Sequence, residues 1–107
     1  MKKLIFLFSL FIAFQAVAQE GIRFRHCSWE EAKAMAKKEK KPIFIDFYTQ
    51  WCGPCLNMAE NIFTLGSVGN FYNDHFVCLK IDAETGEGVE LAKKYEVASF
   101  PTFVFVN

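Results

Sequence analysis

The chain is 107 residues long, with 52% hydrophobic and 17% aromatic content and a formal net charge of zero. This composition excludes a disordered or collagen-like chain and limits the molecule to one compact domain. It carries no basic excess for nucleic acid.

Residues 1–18 read as a secretory signal peptide. Lys2 and Lys3 form the positive start, Leu4 to Phe14 is an apolar run broken only by Ser9, and Ala16-Val17-Ala18 is a small-x-small cleavage site. Cleavage is expected before Gln19, leaving residues 19–107 as the domain. The apolar run is shorter than the roughly 20 residues of a spanning helix, so stable membrane insertion is not expected after cleavage. The mature chain would keep ten Lys and Arg against twelve Asp and Glu, a net charge of −2. Export makes the four cysteines ambiguous, because an even count outside the cytosol suggests structural disulfides. A two-residue gap between Cys52 and Cys55 instead makes a small, reactive ring.

Ile22 to Arg25 alternates apolar and charged residues, which predicts a short first strand. Ser28-Trp29-Glu30-Glu31 fits a capping box, so a helix is expected to start there. It presents Trp29, Ala32, Met35 and Ala36 on one face, and Pro42 ends it. The lysines from Lys37 to Lys41 are read as a solvated last turn rather than a polyanion site. Ile43 to Tyr48 is apolar on both faces, as in a central parallel strand covered by helices. Asp46 stands in its middle, where a carboxylate is costly to bury unless neutral, paired or hydrated. A second helix is expected from Pro54 to about Leu65, broken or bent by Gly66 to Gly69 and followed by one short further turn. Phe76 to Ile81 is the next strand, a helix follows near Val89 to Tyr95, and Thr102 to Val106 is the last strand. This β-α-β-α-β-α-β order predicts an α/β fold, a mixed sheet with helices on both faces.

The chemistry concentrates in Pro42 to Cys55, PIFIDFYTQWCGPC. A buried strand delivers a dithiol to a helix start, where the partial positive charge favours a thiolate, the reactive form. Cys52, at the mouth of the turn, is the candidate nucleophile and the more sheltered Cys55 its resolving partner. A permanent Cys52–Cys55 staple is the alternative. Cys27 and Cys78, with His26 and His75, form no recognised ligand spacing, so no metal is expected. Cys78 is read as a buried, inert thiol and Cys27 as more exposed.

Trp51-Cys52-Gly53-Pro54-Cys55, with Asp46 before it and Phe100-Pro101-Thr102 far downstream, closely resembles the thioredoxin family. The likeness covers Ile22 to Asn107, and the lead Lys41 to Tyr48 behind a signal is similar to exported members from Gram-negative bacteria. Several departures stand out. Glu60 replaces a helix-kinking proline, Leu56 replaces a basic residue, and Cys78 takes the place of a lysine beside the buried acid. Lys80, on the same strand face, is a candidate substitute. The family's final strand and C-terminal helix are missing, so a C-terminally truncated chain is expected, with Thr102 to Val106 as a bare edge.

The resemblance implies a thioredoxin-like thiol-disulfide oxidoreductase with no cofactor beyond the Cys52–Cys55 pair. Asp46 would relay a proton for Cys55, through a water. Pro101 would be a cis-proline, with Phe100 offering backbone groups to an extended substrate; a trans loop proline is the alternative. Trp51 would cover the site, unless it is simply a packing residue. Gly53 and Pro54 match reducing members, which implies reduction of protein or peptide disulfides in the periplasm, fed by a membrane thiol reductase. An oxidase or isomerase using the same dithiol remains open, because direction follows reduction potential. So does a client-binding or chaperone module holding extended chains at Phe100-Pro101.

Overall fold

The computed structural model describes residues 20–107; the expected signal peptide and its cleavage site lie outside the described residues. Helix α1 (Trp29–Glu39) leads into strand β1 (Ile43–Tyr48), followed by α2 (Gly53–Asn61), α3 (Gly66–His75), β2 (Val77–Asp82), α4 (Gly88–Lys94) and β3 (Thr102–Val106). The strands form one mixed sheet in the order β2-β1-β3. Strand β1 runs parallel to β2 and antiparallel to β3. The α/β architecture expected from the order of elements is therefore present.

Alternation along β1 divides the core into two layers. Ile43, Ile45 and Phe47 point to one face, where they pack with Val77 and Leu79 under Trp29 and Ala32 of α1 and Leu91 and Ala92 of α4. Phe44 points to the other, against Phe63 and Cys78, with Met58 of α2 and Val68 and Tyr72 of α3 closing over them. The Phe44 ring is 4.8 Å from that of Tyr72 and 5.2 Å from that of Phe105. Burying one such side chain stabilises the fold by about 1.5–3 kcal/mol relative to leaving it in water. Asp46 and Tyr48 share the Phe44 face by the same period of two, which puts the acid beneath α2. That placement ties the core to the chemistry.

Helix α1 begins as its sequence predicts. The Ser28 hydroxyl accepts from Glu31 N, and Ser28 N donates to the Glu31 carboxylate. It ends when Lys40 turns left-handed, at φ 56°, two residues ahead of Pro42. The other end of the domain is tied to it, because Trp29 N donates to Glu87 Oε1 at 2.6 Å.

Two expectations fail. Ile22 to Arg25 is not a strand; Ile22 N donates to Phe63 O and Arg25 N to Cys78 O, isolated bonds that form no ladder. The helix after Cys55 stops at Asn61, and α3 then runs for ten residues where one short turn was expected. Gly69 misleads here, because it sits in the helix as a contact point: a Cβ there would collide with the carbonyl of Glu20 and the backbone of Gly21. Its missing side chain serves close approach, not a break.

Strand β3 lies at one edge of the sheet, and its Phe103 and Phe105 are exposed on the same face as Phe44. Among the described residues no helix is long and apolar enough to cross a membrane.

Candidate active site

The loop from Thr49 to Cys52 carries the chain from β1 into α2. Cys52 is the N-cap of α2, with extended backbone at φ −80° and ψ 107°, and Pro54 occupies the first turn, where its missing N–H leaves no hydrogen bond unmade. The Cys52 Sγ accepts from Cys55 N at 3.1 Å. The sulfur thus faces the positive end of the helix, the setting that stabilises a thiolate. Cys52 and Cys55 are joined as a disulfide. In this oxidised form neither is open to solvent, at 6% and 5% exposed. Cys52, expected at the mouth of the turn, is thus scarcely more open than Cys55 in the disulfide form.

Asp46 is 1% exposed, and its Oδ1 has no hydrogen-bond partner. Burial pushes its pKa from the ordinary 3.8 up to about 6, with the Lys80 charge pulling the other way. Lys80 is its partner across the β1–β2 ladder, and the ammonium sits 4.7 Å from the centre of the Tyr48 ring. A cavity of about 230 Å³ opens here, lined by Tyr48, Thr49, Cys52, Cys55, Ala59 and Lys80 among others. Both cysteines of the disulfide thus stand in its wall.

Trp51 is 71% exposed, which rules out an ordinary core tryptophan. Its indole N–H donates to Glu84 Oε1 at 2.6 Å, and its ring meets Phe100 edge-on with centres 6.1 Å apart. The loop after β2 braces the same turn a second time, since Gln50 Nε2 donates to Asp82 Oδ2 at 3.1 Å. Gly53 and Pro54 are exposed on the turn. The Phe100–Pro101 peptide is cis, and Phe100 packs partly buried against the core layer of α1 and α4. The structure therefore brings Trp51, Cys52, Gly53, Pro54 and Cys55 together in one turn, with Phe100 reaching it through Trp51 and Asp46 linked to it through Lys80, its ladder partner in the cavity wall.

Cys78 is buried, and desolvation raises its pKa to about 11, which keeps it a neutral thiol. Cys27 is partly exposed, and burial followed by the Glu31 charge raises its pKa as well. Among the described residues no three His, Cys, Asp or Glu side chains gather as a metal site. Thr49, Gln50, Asp82 and Glu84 are site residues that motif reading passed over. A polar Thr49 at the end of a buried strand was a visible signal, whereas nothing local marks Glu84.

The sequence pattern of the family described as Thioredoxin-like matches residues 24–107. Thioredoxin-1 of Drosophila yakuba is 42% identical over 75 residues, a stretch that covers 70% of this chain and 65% of that protein. The chain thus spans just under two thirds of the length of that relative. A Bacteroides thetaiotaomicron protein proposed to be a disulphide-isomerase superposes with a TM-score of 0.74 at 48% identity, over 82% of this chain and 73% of that one. DsbH oxidoreductase superposes with a TM-score of 0.72 at 25% identity, over 85% of this chain and 69% of its own.

Proposed function

The chain belongs to the thioredoxin-like family, and on that premise we propose that it is a thiol-disulfide oxidoreductase that reduces protein disulfides. One observation carries the reading: the Cys52 sulfur caps α2 and accepts the Cys55 N–H, with Cys55 bonded behind it. In the reduced protein the Cys52 thiolate attacks one sulfur of a substrate disulfide and expels the other as a thiolate, which takes up a proton. Cys55 then loses its proton and attacks Cys52 Sγ. The Cys52–Cys55 bond forms, the mixed disulfide breaks, and the second substrate sulfur leaves with the electron pair. The substrate has gained two electrons and the protein has lost them.

Asp46 is the group that takes the Cys55 proton. Its pKa of about 6 leaves the carboxylate largely ionised at neutral pH yet basic enough to accept. Phe100 and Pro101, with Trp51 beside them, form the wall against which an extended substrate segment lies.

The signal pattern of residues 1–18 supports export, with the periplasm of a Gram-negative bacterium as the compartment. An oxidising surrounding requires an electron donor, for which a membrane thiol reductase is the proposed class. The second reading is an isomerase acting through the same dithiol. It is favoured by the 48% identity to the B. thetaiotaomicron protein proposed as a disulphide-isomerase.

The test is reduction of a disulfide-bonded protein by the domain from Gln19 onward, with Cys55→Ser alongside. Accumulation of a mixed disulfide through Cys52 supports the exchange, while activity that survives loss of both cysteines refutes it. Equilibration with glutathione separates reductase from isomerase by the potential of the pair. Cell fractionation with N-terminal sequencing tests export, for which Gln19 is the expected first residue.

A further inference from the structure

Among the described residues, two buried side-chain atoms lack a hydrogen-bond partner: Asp46 Oδ1 and Thr49 Oγ1. They lie three residues apart where β1 runs into the active-site loop, and their residues are 1% and 2% exposed. Leaving a buried hydroxyl unmatched costs about 1–3 kcal/mol. Valine has nearly the same shape and would escape that cost, so packing does not explain why this position carries an oxygen. The cavity beside it does. It is about 230 Å³, and its walls include Thr49, Cys55 and the polar Lys80. A water claims only about 30 Å³ and needs two or more polar partners; Thr49 and Lys80 stand in the cavity wall, and Asp46 is the ladder partner of Lys80.

We propose that Thr49 is a positioning residue for proton transfer between Cys55 and Asp46, its hydroxyl holding a water between the cavity and the Asp46 carboxylate. The inference rests on the oxidoreductase reading. As Cys55 turns on Cys52 Sγ, its thiol proton passes to this water, and the water gives one of its own to Asp46. The S–S bond to Cys52 forms as the substrate sulfur leaves with its electron pair. A hydroxyl both donates and accepts, so Thr49 can hold the water before and after the transfer and in the reverse direction. Lys80, which only donates, cannot.

The ionisable groups on this face are Lys80, Cys78 and Asp82 of β2, Tyr48 of β1 and the Cys52–Cys55 pair of α2. Strand β3 contributes none, since Phe103 and Phe105 are its residues opposite Asp46 and Phe44.

Thr49→Val and Thr49→Ser are compared with wild type in single-turnover reduction of a disulfide-bonded protein between pH 5 and pH 9. Asp46 is titrated in parallel by carboxyl NMR, which needs no activity. Loss of one positioning hydrogen bond is expected to slow decay of the mixed disulfide about fivefold in T49V. The same variant should displace the Asp46 midpoint and leave the Cys52 attack rate, measured in a Cys55→Ser background, unchanged. T49S should restore both within about twofold. Should T49V fail to fold, Thr49→Ala carries the same expectation. A wild-type rate and pH profile in T49V overturns the proposal, as does a T49S as slow as T49V, which would mean packing alone. A wild-type protein that reduces no disulfide overturns the oxidoreductase reading and the relay together.

Discussion

Asp46 and Lys80 lie opposite each other across the β1–β2 ladder, one fully buried in the central strand and the other exposed at the mouth of the active-site cavity. The buried acid is thus bordered by a cation that bulk water still reaches. The folded protein holds a proton on Asp46 more tightly than the unfolded chain does, because its pKa rises from 3.8 to about 6. Stability from that proton is fully present below 3.8 and is lost as pH rises through about 6. Asp46→Asn should therefore stabilise the domain at pH 7, by at most roughly 3 kcal/mol at 1.36 kcal/mol for each factor of ten. It should also flatten the stability profile between pH 4 and 6. Urea denaturation at several pH values measures both. The cost should appear in activity: without the proton acceptor, resolution of the mixed disulfide should slow by about 10²-fold at pH 7. A variant that is no more stable and equally fast would remove Asp46 from the mechanism.

Among the described residues the Lys80 charge is what opposes burial at that carboxyl, so Lys80→Met should move the Asp46 midpoint further up. Its ammonium is exposed and screened, so the loss of stability at neutral pH should stay within a few tenths of a kcal/mol. High salt should push the wild-type midpoint in the same direction. Carboxyl NMR against pH tests the substitution, and a midpoint that stays at about 6 or falls would show that burial alone sets it.

What could be read before folding was whatever depends on neighbours in the chain. The capping box at Ser28 and the apolar run of β1 are written in consecutive residues, and both stand where the pattern placed them. The interruption expected at Gly69 fails because the reason for this glycine lies 49 residues back, at the Glu20 carbonyl against which α3 packs. Ile22 to Arg25 alternates like a strand, but alternation describes only one partner of a ladder, and none runs alongside. The active site divides in the same way. Cys52 and Cys55 announce themselves by spacing, whereas the Trp51–Glu84 hydrogen bond joins residues 33 apart and depends on how the loop after β2 folds back.

That bond gives Trp51 its own test. An indole ring 71% exposed would be free to turn, yet its N–H is held at 2.6 Å by Glu84 Oε1 and its face stands edge-on to Phe100. Glu84 thereby fixes the ring against Phe100, the side of the site where we propose that substrate lies. Because both partners are exposed, Glu84→Ala should change stability by less than about 1 kcal/mol. Its effect should fall on substrate binding. KM for a disulfide-bonded protein should rise by about two- to fivefold while kcat holds. In the same variant the Trp51 indole N–H resonance should move upfield and exchange faster with water, and Glu84→Gln, which keeps an acceptor without the charge, should fall between. An indole resonance and KM that both stay at their wild-type values would mean that the bond does not hold Trp51 in solution.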